Sequence, residues 1–248
     1  MPGVVLGVIV GVVLVALGLP LVGAAALVIV AVGISLWIWN AAPGAVLRSV
    51  GAVASEEWDH PRLHNLVDGL CATMGLPRPA ICLVDSPVPN AMALGRDPQA
   101  ATLVVTTGLD EVLTLVELEG VLAHELVHVK RNDTVLAGVA VVATAPLAAL
   151  IGPDRATARV HRLIGRGREF SADQRAAVVV RYPHGIGSAL DAMVDGSDHT
   201  TSWLSDRGRM ATLTRWLWID PMVGTPRGES SEGNLDDTRV RAAALSLY

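Results

Sequence analysis

The chain has 248 residues, of which 51% are hydrophobic and 17% are charged, and its mean hydropathy is +0.46. This balance is too apolar for an average soluble domain, and it favours membrane association. The net charge of −5 and the pI near 5.8 give no basic surface for nucleic acid, so we expect no nucleic-acid partner.

The apolar residues are concentrated at the amino terminus, where positions 2–47 carry no charged side chain. Gly18, Leu19 and Pro20 interrupt this stretch, and each half approaches the ~20 residues that one bilayer crossing needs. The pattern predicts that residues 1–47 form a transmembrane helical hairpin, with helices at about 3–18 and 21–39. A cleaved signal peptide fits poorly, because the apolar stretch is too long and no basic segment precedes it.

The charge pattern gives the expected orientation in the membrane. Arg48 is the first basic residue after the second predicted span, and basic residues favour the cytoplasmic side. Two crossings leave both ends on the same side, so we expect a multi-pass protein of the cell (inner or plasma) membrane with its main domain in the cytoplasm. Cys71 and Cys82 agree with a reducing compartment.

Residues 48–248 alternate between helical and extended patterns, which predicts a single α+β domain, mainly α. A helix is expected within 55–75, followed by strands "PAICLVD" and "ATLVVTTG" on either side of a loop "SPVPNAMALGRDPQ". Further helices are expected at 111–131, 153–180 and 185–195. The residues 135–151 are apolar throughout, and the glycine- and acid-rich segment 224–238 predicts a mobile loop.

The helix predicted at 111–131 contains "HELVH", in which His124 and His128 lie four residues apart. Residues i and i+4 share one face of a helix, so both imidazoles can bind the same zinc ion. Glu125 lies one step round the helix, where it can reach a water molecule as general base. The alternative is a surface helix with two solvated histidines.

A second segment, "REFSADQRAA", places Glu169 and Asp173 four residues apart on a predicted helix. Glu169 can complete a site of two histidines and one carboxylate, which leaves the fourth zinc position open, as in catalytic sites. Asp173 would then accept a hydrogen bond from the outer N–H of a ligand histidine. The alternative is a surface salt bridge with Arg168 or Arg175.

From about residue 58 to 195, these motifs and "PNAMALGRDPQAATLVVTTGLDEVLTLVELEGVLAHELVHVKRNDT" resemble the HtpX-type zinc metalloproteases, which are related to the CAAX prenyl endopeptidases. The resemblance implies a gluzincin fold with an HEXXH helix, a small sheet and a second helix that supplies the glutamate. It also implies one Zn²⁺ per chain on His124, His128 and Glu169, with Glu125 as general base. The implied activity is membrane-associated proteolysis in protein quality control and the stress response.

The chain departs from this family at two places. The usual carboxyl-terminal "HPP" and the arginine helix after it are matched only by "DPM" at 220–222 and by "TRVRAAAL", which makes Arg239 the matching arginine. The family has two further spans between the HEXXH helix and the glutamate, whereas here only 135–151 is available. A single crossing there would put His128 and Glu169 on opposite sides of the bilayer. We therefore expect 135–151 to be a buried, interfacial or re-entrant helix.

The expected substrate is a protein or peptide that lies extended beside the metal, with the lipid bilayer as the other partner. We expect the free edge of the strand "ATLVVTT", including Val104, to bind it by β-augmentation. Asn90 and Ala91 lie beside this strand, although Asn90 is as well explained by a turn. No motif identifies the residue that stabilises the oxyanion. His199, Tyr182 and Arg239 have side chains of suitable chemistry.

Two alternatives to this enzyme remain. A catalytically silent membrane scaffold could keep the fold for interaction alone. Against this alternative, the two motifs have all of their residues intact, namely His124, Glu125, His128, Glu169 and Asp173. An intramembrane protease is disfavoured, because charges such as Glu119 and Lys130 closely bracket the HEXXH motif.

Overall fold

The computed structural model describes residues 7, 11–153, 155–156, 167–197, 203–220 and 237–247. The chain divides into two compact units, residues 1–42 and 43–248. The first unit ends five residues before residue 47, the boundary predicted from the sequence. Most of the predicted mobile loop 224–238 lies outside the described residues. Its last residue, Thr238, begins a helix.

The first unit contains a short helical stretch at residues 11–16 and the beginning of α1 (Pro20–Val50). A turn at Gly18, with φ 81°, separates them. Among the described residues, α1 is the helix that is long and apolar enough to cross a membrane. A Cβ on Gly23 would lie 2.4 Å from Val15 Cγ2, so glycine allows the two helical stretches to approach closely. Residues 3–6 and 8–10 of the predicted helix 3–18 lie outside the described residues, and α1 continues eleven residues beyond the predicted end at residue 39.

The second unit contains a four-stranded sheet in the order β1-β2-β4-β3. The strands are β1 (Val53–Ala54), β2 (Ala80–Val84), β3 (Ala91–Gly95) and β4 (Ala101–Thr106). β2 pairs with β4 in parallel, and β3 pairs with β4 antiparallel. β2 and β4 were predicted, whereas β3 occupies the predicted loop.

This topology corrects the predicted substrate strand. β4 is bonded to β2 on one side and to β3 on the other, so its edges are not available to a peptide. Val104 is fully buried in the interior of the sheet. The strand at this edge of the sheet is β3, and it was missed because its small residues show no alternation of polar and apolar side chains.

The helices of the second unit pack on both faces of the sheet. They are α2 (Pro61–Met74), α3 (Thr107–Val112), α4 (Leu115–Lys130), α5 (Asp133–Ile151), α6 (Arg168–Val180), α7 (Pro183–Ser197), α8 (Trp203–Asp206), α9 (Arg209–Leu213) and α10 (Thr238–Leu245). Leu103 and Val105 face a core with α2, α4, α6 and α7, whereas Val104 faces a second core with α5 and Trp216. Successive side chains of a strand point to opposite faces, so β4 contributes to both cores.

The predicted helix at 111–131 is two helices in the structure. α3 ends at Val112, and Thr114 begins α4 through a capping box, in which its side chain accepts from the Glu117 N–H. The Glu117 carboxylate accepts in turn from the Thr114 N–H at 2.8 Å. Such a reciprocal pair satisfies two backbone donors at a helix start. The cap therefore fixes where the helix that carries His124 begins.

α5 has one buried and one exposed face. Val141 and Ala148 are buried in the second core, together with Val46 and Val50 from the end of α1. Leu150, at the far end of α5, is 83% exposed. The predicted apolar segment 135–151 lies within α5, and its description as a buried, interfacial or re-entrant helix stays a prediction. Residues 157–166 of the predicted helix 153–180 lie outside the described residues, and the rest includes α6.

Candidate metal centre

His124 and His128 lie on adjacent turns of α4 and face the interior of the second unit. Their Nε2 atoms are 3.1 Å apart, and His124 is completely buried. The amino-terminal part of α4 is fixed by its cap and by close packing on α7. A Cβ on Gly120 would lie 3.2 Å from the backbone nitrogen of Ile186, so glycine is needed for this approach. The histidines are thus presented from a rigid helix.

Glu169, in the first turn of α6, meets both histidines. Its Oε2 atom lies 3.1 Å from His124 Nε2 and 3.4 Å from His128 Nε2. Ligands about 2.0–2.1 Å from a tetrahedral zinc are separated by about 3.3–3.4 Å, so this triangle has the size that zinc requires. The structure therefore brings together the three residues proposed as ligands, and their donor set can hold a metal ion.

A carboxylate lies near the Nδ1 atom of each histidine, on the side of the ring opposite Nε2. Asp173 Oδ1 lies 2.7 Å from His124 Nδ1, although the ring N–H bond does not point straight at it. Asp133 Oδ2 lies 3.3 Å from His128 Nδ1. Carboxylates in this position fix the tautomer and the ring orientation of a ligand histidine. Asp173 was expected there, whereas Asp133 was not.

Asp173 is in turn bound by Arg241 of α10. The guanidinium donates from Nε to Oδ2 at 2.6 Å and from Nη2 to Oδ1 at 2.8 Å, and its Nη1 donates to the Ile219 carbonyl at 2.7 Å. Both side chains are buried. This pair links the last helix to the histidine cluster across 68 positions of sequence.

Beside His128 there is a small cavity that Glu125 also lines. Its volume is about 10 Å³, roughly the room that one water molecule requires. Ala93 of β3 and Arg168 of α6 form other parts of its wall. The arrangement can therefore bring a water molecule, a carboxylate base and a metal ion together at one point.

Comparison with known proteins gives the family. The model of peptidase family M48 matches residues 57–213. A protease HtpX homolog of Tropheryma whipplei (strain Twist) is 37% identical over 215 residues, covering 74% of this chain and 70% of the relative. This chain belongs to peptidase family M48. The protease HtpX homolog of Salinibacter ruber (strain DSM 13855 / M31), 34% identical over 188 residues with 67% of each chain covered, agrees.

A third relative, the protease HtpX homolog of Dictyoglomus turgidum (strain DSM 6724 / Z-1310), is 34% identical over 177 residues, 59% of this chain and 58% of the relative. No solved structure matches the chain significantly. M48 membership confirms the predicted resemblance to the HtpX type, and the chain is a metalloprotease. The family implies a metal, typically zinc, and a mainly helical fold with a small sheet fits an M48 peptidase.

Charge in this M48 centre is strongly coupled. Burial raises the pKa of Glu125, although the neighbouring histidines oppose it. Burial alone would lower the pKa of His128, but Glu169 and Asp133 outweigh it and raise the pKa to about 9. The pKa of Glu169 lies well below its ordinary value, because the two histidines outweigh its burial. Without a metal ion, the cluster therefore binds protons that a cation has to displace.

The remaining predicted residues take other positions. Asn90 is buried, and it binds the backbone of Asp220 through both its Nδ2 and its Oδ1 atoms, so it joins β3 to the 219–220 segment. The Ala91 carbonyl accepts from the Ile219 N–H at 2.9 Å. Tyr182 lines a shallow pocket with Thr114, away from the cavity beside His128. His199 lies outside the described residues.

Arg239 corrects another expectation. Its side chain is exposed at the start of α10, whereas Arg241, two residues later, is the arginine that reaches the centre. Residues two apart on a helix point in different directions, so Arg241 is buried although Arg239 is exposed.

Sequence reasoning missed the roles of Asp133, Arg168 and Arg241. Asp133 had a local signal, since a carboxylate at the start of the next helix follows His128 by five residues. Arg168 was considered only as an alternative surface partner of Glu169. Arg241 had no local signal, because its partner is far away in the sequence.

Proposed function

We propose that this protein is a membrane-anchored, zinc-dependent endopeptidase of the gluzincin type, which binds one Zn²⁺ per chain through His124, His128 and Glu169. The observation that carries the proposal is the convergence of three ligand atoms from two helices within 4.8 Å of one another. Three protein ligands leave one zinc position for water or substrate, which distinguishes catalytic from structural sites.

When bound, zinc lowers the pKa of a water molecule to about 7. Glu125 is the general base that accepts the water proton and then passes it to the leaving amine of the cleaved peptide bond. Its raised pKa in a buried position brings proton uptake closer to neutral pH. Asp173 and Asp133 orient the two histidines through their Nδ1 atoms.

The substrate is a protein or peptide bound extended along β3. Asn90 pairs with Thr106 across the ladder, so the alternate residues Ala91, Ala93 and Gly95 direct their backbone groups away from β4. The Ile219 N–H donates to the Ala91 carbonyl, whereas no described residue hydrogen-bonds to the N–H or C=O of Ala93 that points away from β4. Ala93 also lines the cavity beside Glu125. β-Augmentation at Ala93 would therefore place a peptide bond next to the base.

The protein is anchored in the cell membrane by residues 1–47 as a hairpin of two crossings, and residues 48–248 form the cytoplasmic protease domain. α1 contains a window with mean hydropathy 2.6, and the close approach at Gly23 supports a hairpin. Arg48, after the second crossing, favours the cytoplasmic side. Substrates are misfolded or membrane-associated proteins, in keeping with protein quality control.

The exposed end of α5 lies at the bilayer surface rather than across the membrane. Val46 and Val50, near the end of α1, belong to the same buried core as Val141 of α5, which supports this placement. Residues 134–153 carry no charge. The 16 residues before Arg168 include one aspartate and four arginines, a composition that is not typical of a membrane span.

The test of the enzyme is zinc content and casein cleavage by the purified full chain. We expect stoichiometric zinc and chelator-sensitive cleavage in the wild type. Glu125→Gln should keep the zinc and lose cleavage, whereas Glu119→Gln on the same helix should keep both. If Glu125→Gln cleaves as well as the wild type, the alternative of a catalytically silent scaffold is favoured and the cleavage has another source.

A further inference from the structure

Arg168 lies immediately before Glu169 at the start of α6, and its guanidinium binds the same carboxylate that faces the histidines. Arg168 Nε and Nη2 donate to Glu169 Oε1 at 3.1 and 3.0 Å. Hydrogen bonds between two charged groups are about twice as strong as neutral ones. The contact involves neighbouring residues of one helix turn, so it costs little chain entropy.

The two oxygens of Glu169 therefore have different partners. Oε1 accepts from Arg168, whereas Oε2 lies 3.1 Å from His124 Nε2 and 3.4 Å from His128 Nε2. A carboxylate bound in this way cannot rotate to exchange its oxygens without breaking two hydrogen bonds. The orientation that faces the histidines is thus held from behind.

The guanidinium is itself held in place. Its Cζ atom lies 5.8 Å from the centroid of the Trp216 ring, and Trp216 is buried in the second core. The Arg168 side chain is 17% exposed. An arginine that is stacked on an aromatic ring and also bonded through two nitrogens has a geometry that lysine cannot reproduce.

Arg168 also lines the cavity that contains Glu125 and His128. Among the described residues of that wall, it contributes the permanent positive charge. It is not within the set of metal-binding atoms, because a guanidinium has no lone pair to offer. The hydrogen bonds that connect it to the proposed ligand set are those to Glu169.

We propose that Arg168 is a positioning residue, whose guanidinium binds Oε1 of Glu169 so that Glu169 ligates the metal through Oε2 alone. This inference rests on the proposed zinc site. Loss of the two hydrogen bonds frees the carboxylate to rotate or to bind through both oxygens, so the coordination of the metal changes. Outer partners of metal ligands typically contribute about 10–100-fold to metal affinity.

The test uses the full chain in detergent, with Zn²⁺ affinity measured by competition with a chelator and visible absorption recorded after Co²⁺ loading. Arg168→Gln should bind Zn²⁺ about 10–100-fold more weakly, and its Co²⁺ spectrum should lose intensity as the coordination number rises. Arg168→Lys, which keeps the charge and loses the two-nitrogen contact, should show the same spectral change with a smaller loss of affinity. Arg175→Gln, an exposed arginine of α6, is the matched control and should equal the wild type.

The outcomes separate this inference from the zinc site. If Arg168→Gln and Arg168→Lys keep wild-type affinity and spectrum while Glu169→Gln loses metal, the zinc site stands and the role of Arg168 is refuted. If Glu169→Gln binds metal as well as the wild type, the proposed site itself is wrong. Circular dichroism of each variant shows whether it folds, and Arg168→Lys keeps the test decisive if Arg168→Gln does not.

Discussion

Removal of the Arg241 guanidinium should destabilise the protein strongly. Arg241 and Asp173 are both at most 1% exposed and share two hydrogen bonds of 2.6 and 2.8 Å. Arg241→Met keeps much of the side-chain volume but leaves the Asp173 carboxylate buried without its cation. Breaking a buried pair from one side costs about 3–5 kcal/mol. At about 2–4 °C per kcal/mol for a chain of this size, Tm should fall by about 6–20 °C.

The assay is thermal unfolding of the full chain in detergent, with circular dichroism as the signal that monitors unfolding. Burial alone would raise the pKa of Asp173, but Arg241 outweighs it and keeps that pKa below 3.8. A lowered folded pKa contributes stability above the unfolded pKa and loses it as the pH falls through the folded value. The difference in Tm should therefore persist at neutral pH and narrow in acid.

A double-mutant cycle with Asp173→Asn separates the pair from general packing. The double variant should be less destabilised than the sum of the single variants, because the second change removes the unpaired partner. A fall in Tm of less than about 3 °C for Arg241→Met would refute the reasoning, since it would mean that the carboxylate finds water or another cation.

Three further predictions follow from the same geometry. Because the metal-free pKa of His128 is raised to about 9, Zn²⁺ has to displace its proton, and the affinity should rise by up to about tenfold per pH unit above pH 7 and level off near pH 9; a flat profile in isothermal titration would contradict this. In nanodiscs that contain spin-labelled phosphatidylcholine, a fluorophore on Leu150→Cys should be quenched, whereas one on the exposed Val178→Cys should not. Equal quenching at both sites would contradict the proposed position of α5 at the bilayer surface. Thr114→Ala removes the cap of the His124 helix and should cost about 1 kcal/mol, seen as a Tm lower by about 2–4 °C, while an unchanged Tm would show that the capping box is dispensable.

The candidate metal-binding residues could be recognised from the sequence because they lie in two pairs, each of them local. His124 and His128, and likewise Glu169 and Asp173, lie four residues apart on a helix, so spacing alone gives their common face. What spacing does not give is that the two helices meet. In the structure that meeting depends on packing of α4 against α6 through buried apolar residues such as Leu126 and Ala172.

β3 could not be predicted, because its sequence has no strand periodicity. All five of its residues are buried, since the strand pairs with β4 and is covered on both faces. A strand of that kind reads as a short apolar run, which periodicity does not distinguish from a loop. The error then moved the expected substrate edge from β3 to β4.

Polar contacts between residues far apart in the chain could not be predicted from the sequence either. Arg241 is one of several arginines near the carboxyl end, and nothing in its neighbours distinguishes it from Arg239. Only the position of α10 in the fold turns one of the two towards Asp173 and the other to solvent. Tertiary packing decided which arginine is buried.

Zinc-edge X-ray absorption of the purified full chain tests the metal centre most directly. We expect one zinc per chain in the sample. The spectrum should show two imidazole nitrogens at about 2.0–2.1 Å from the zinc and carboxylate or water oxygens at about 2.0–2.2 Å. The oxygen contribution should change in Glu169→Gln. A sulfur shell at about 2.3 Å from Cys71 or Cys82, or a spectrum identical in Glu169→Gln, would contradict a zinc ion bound between the two helices.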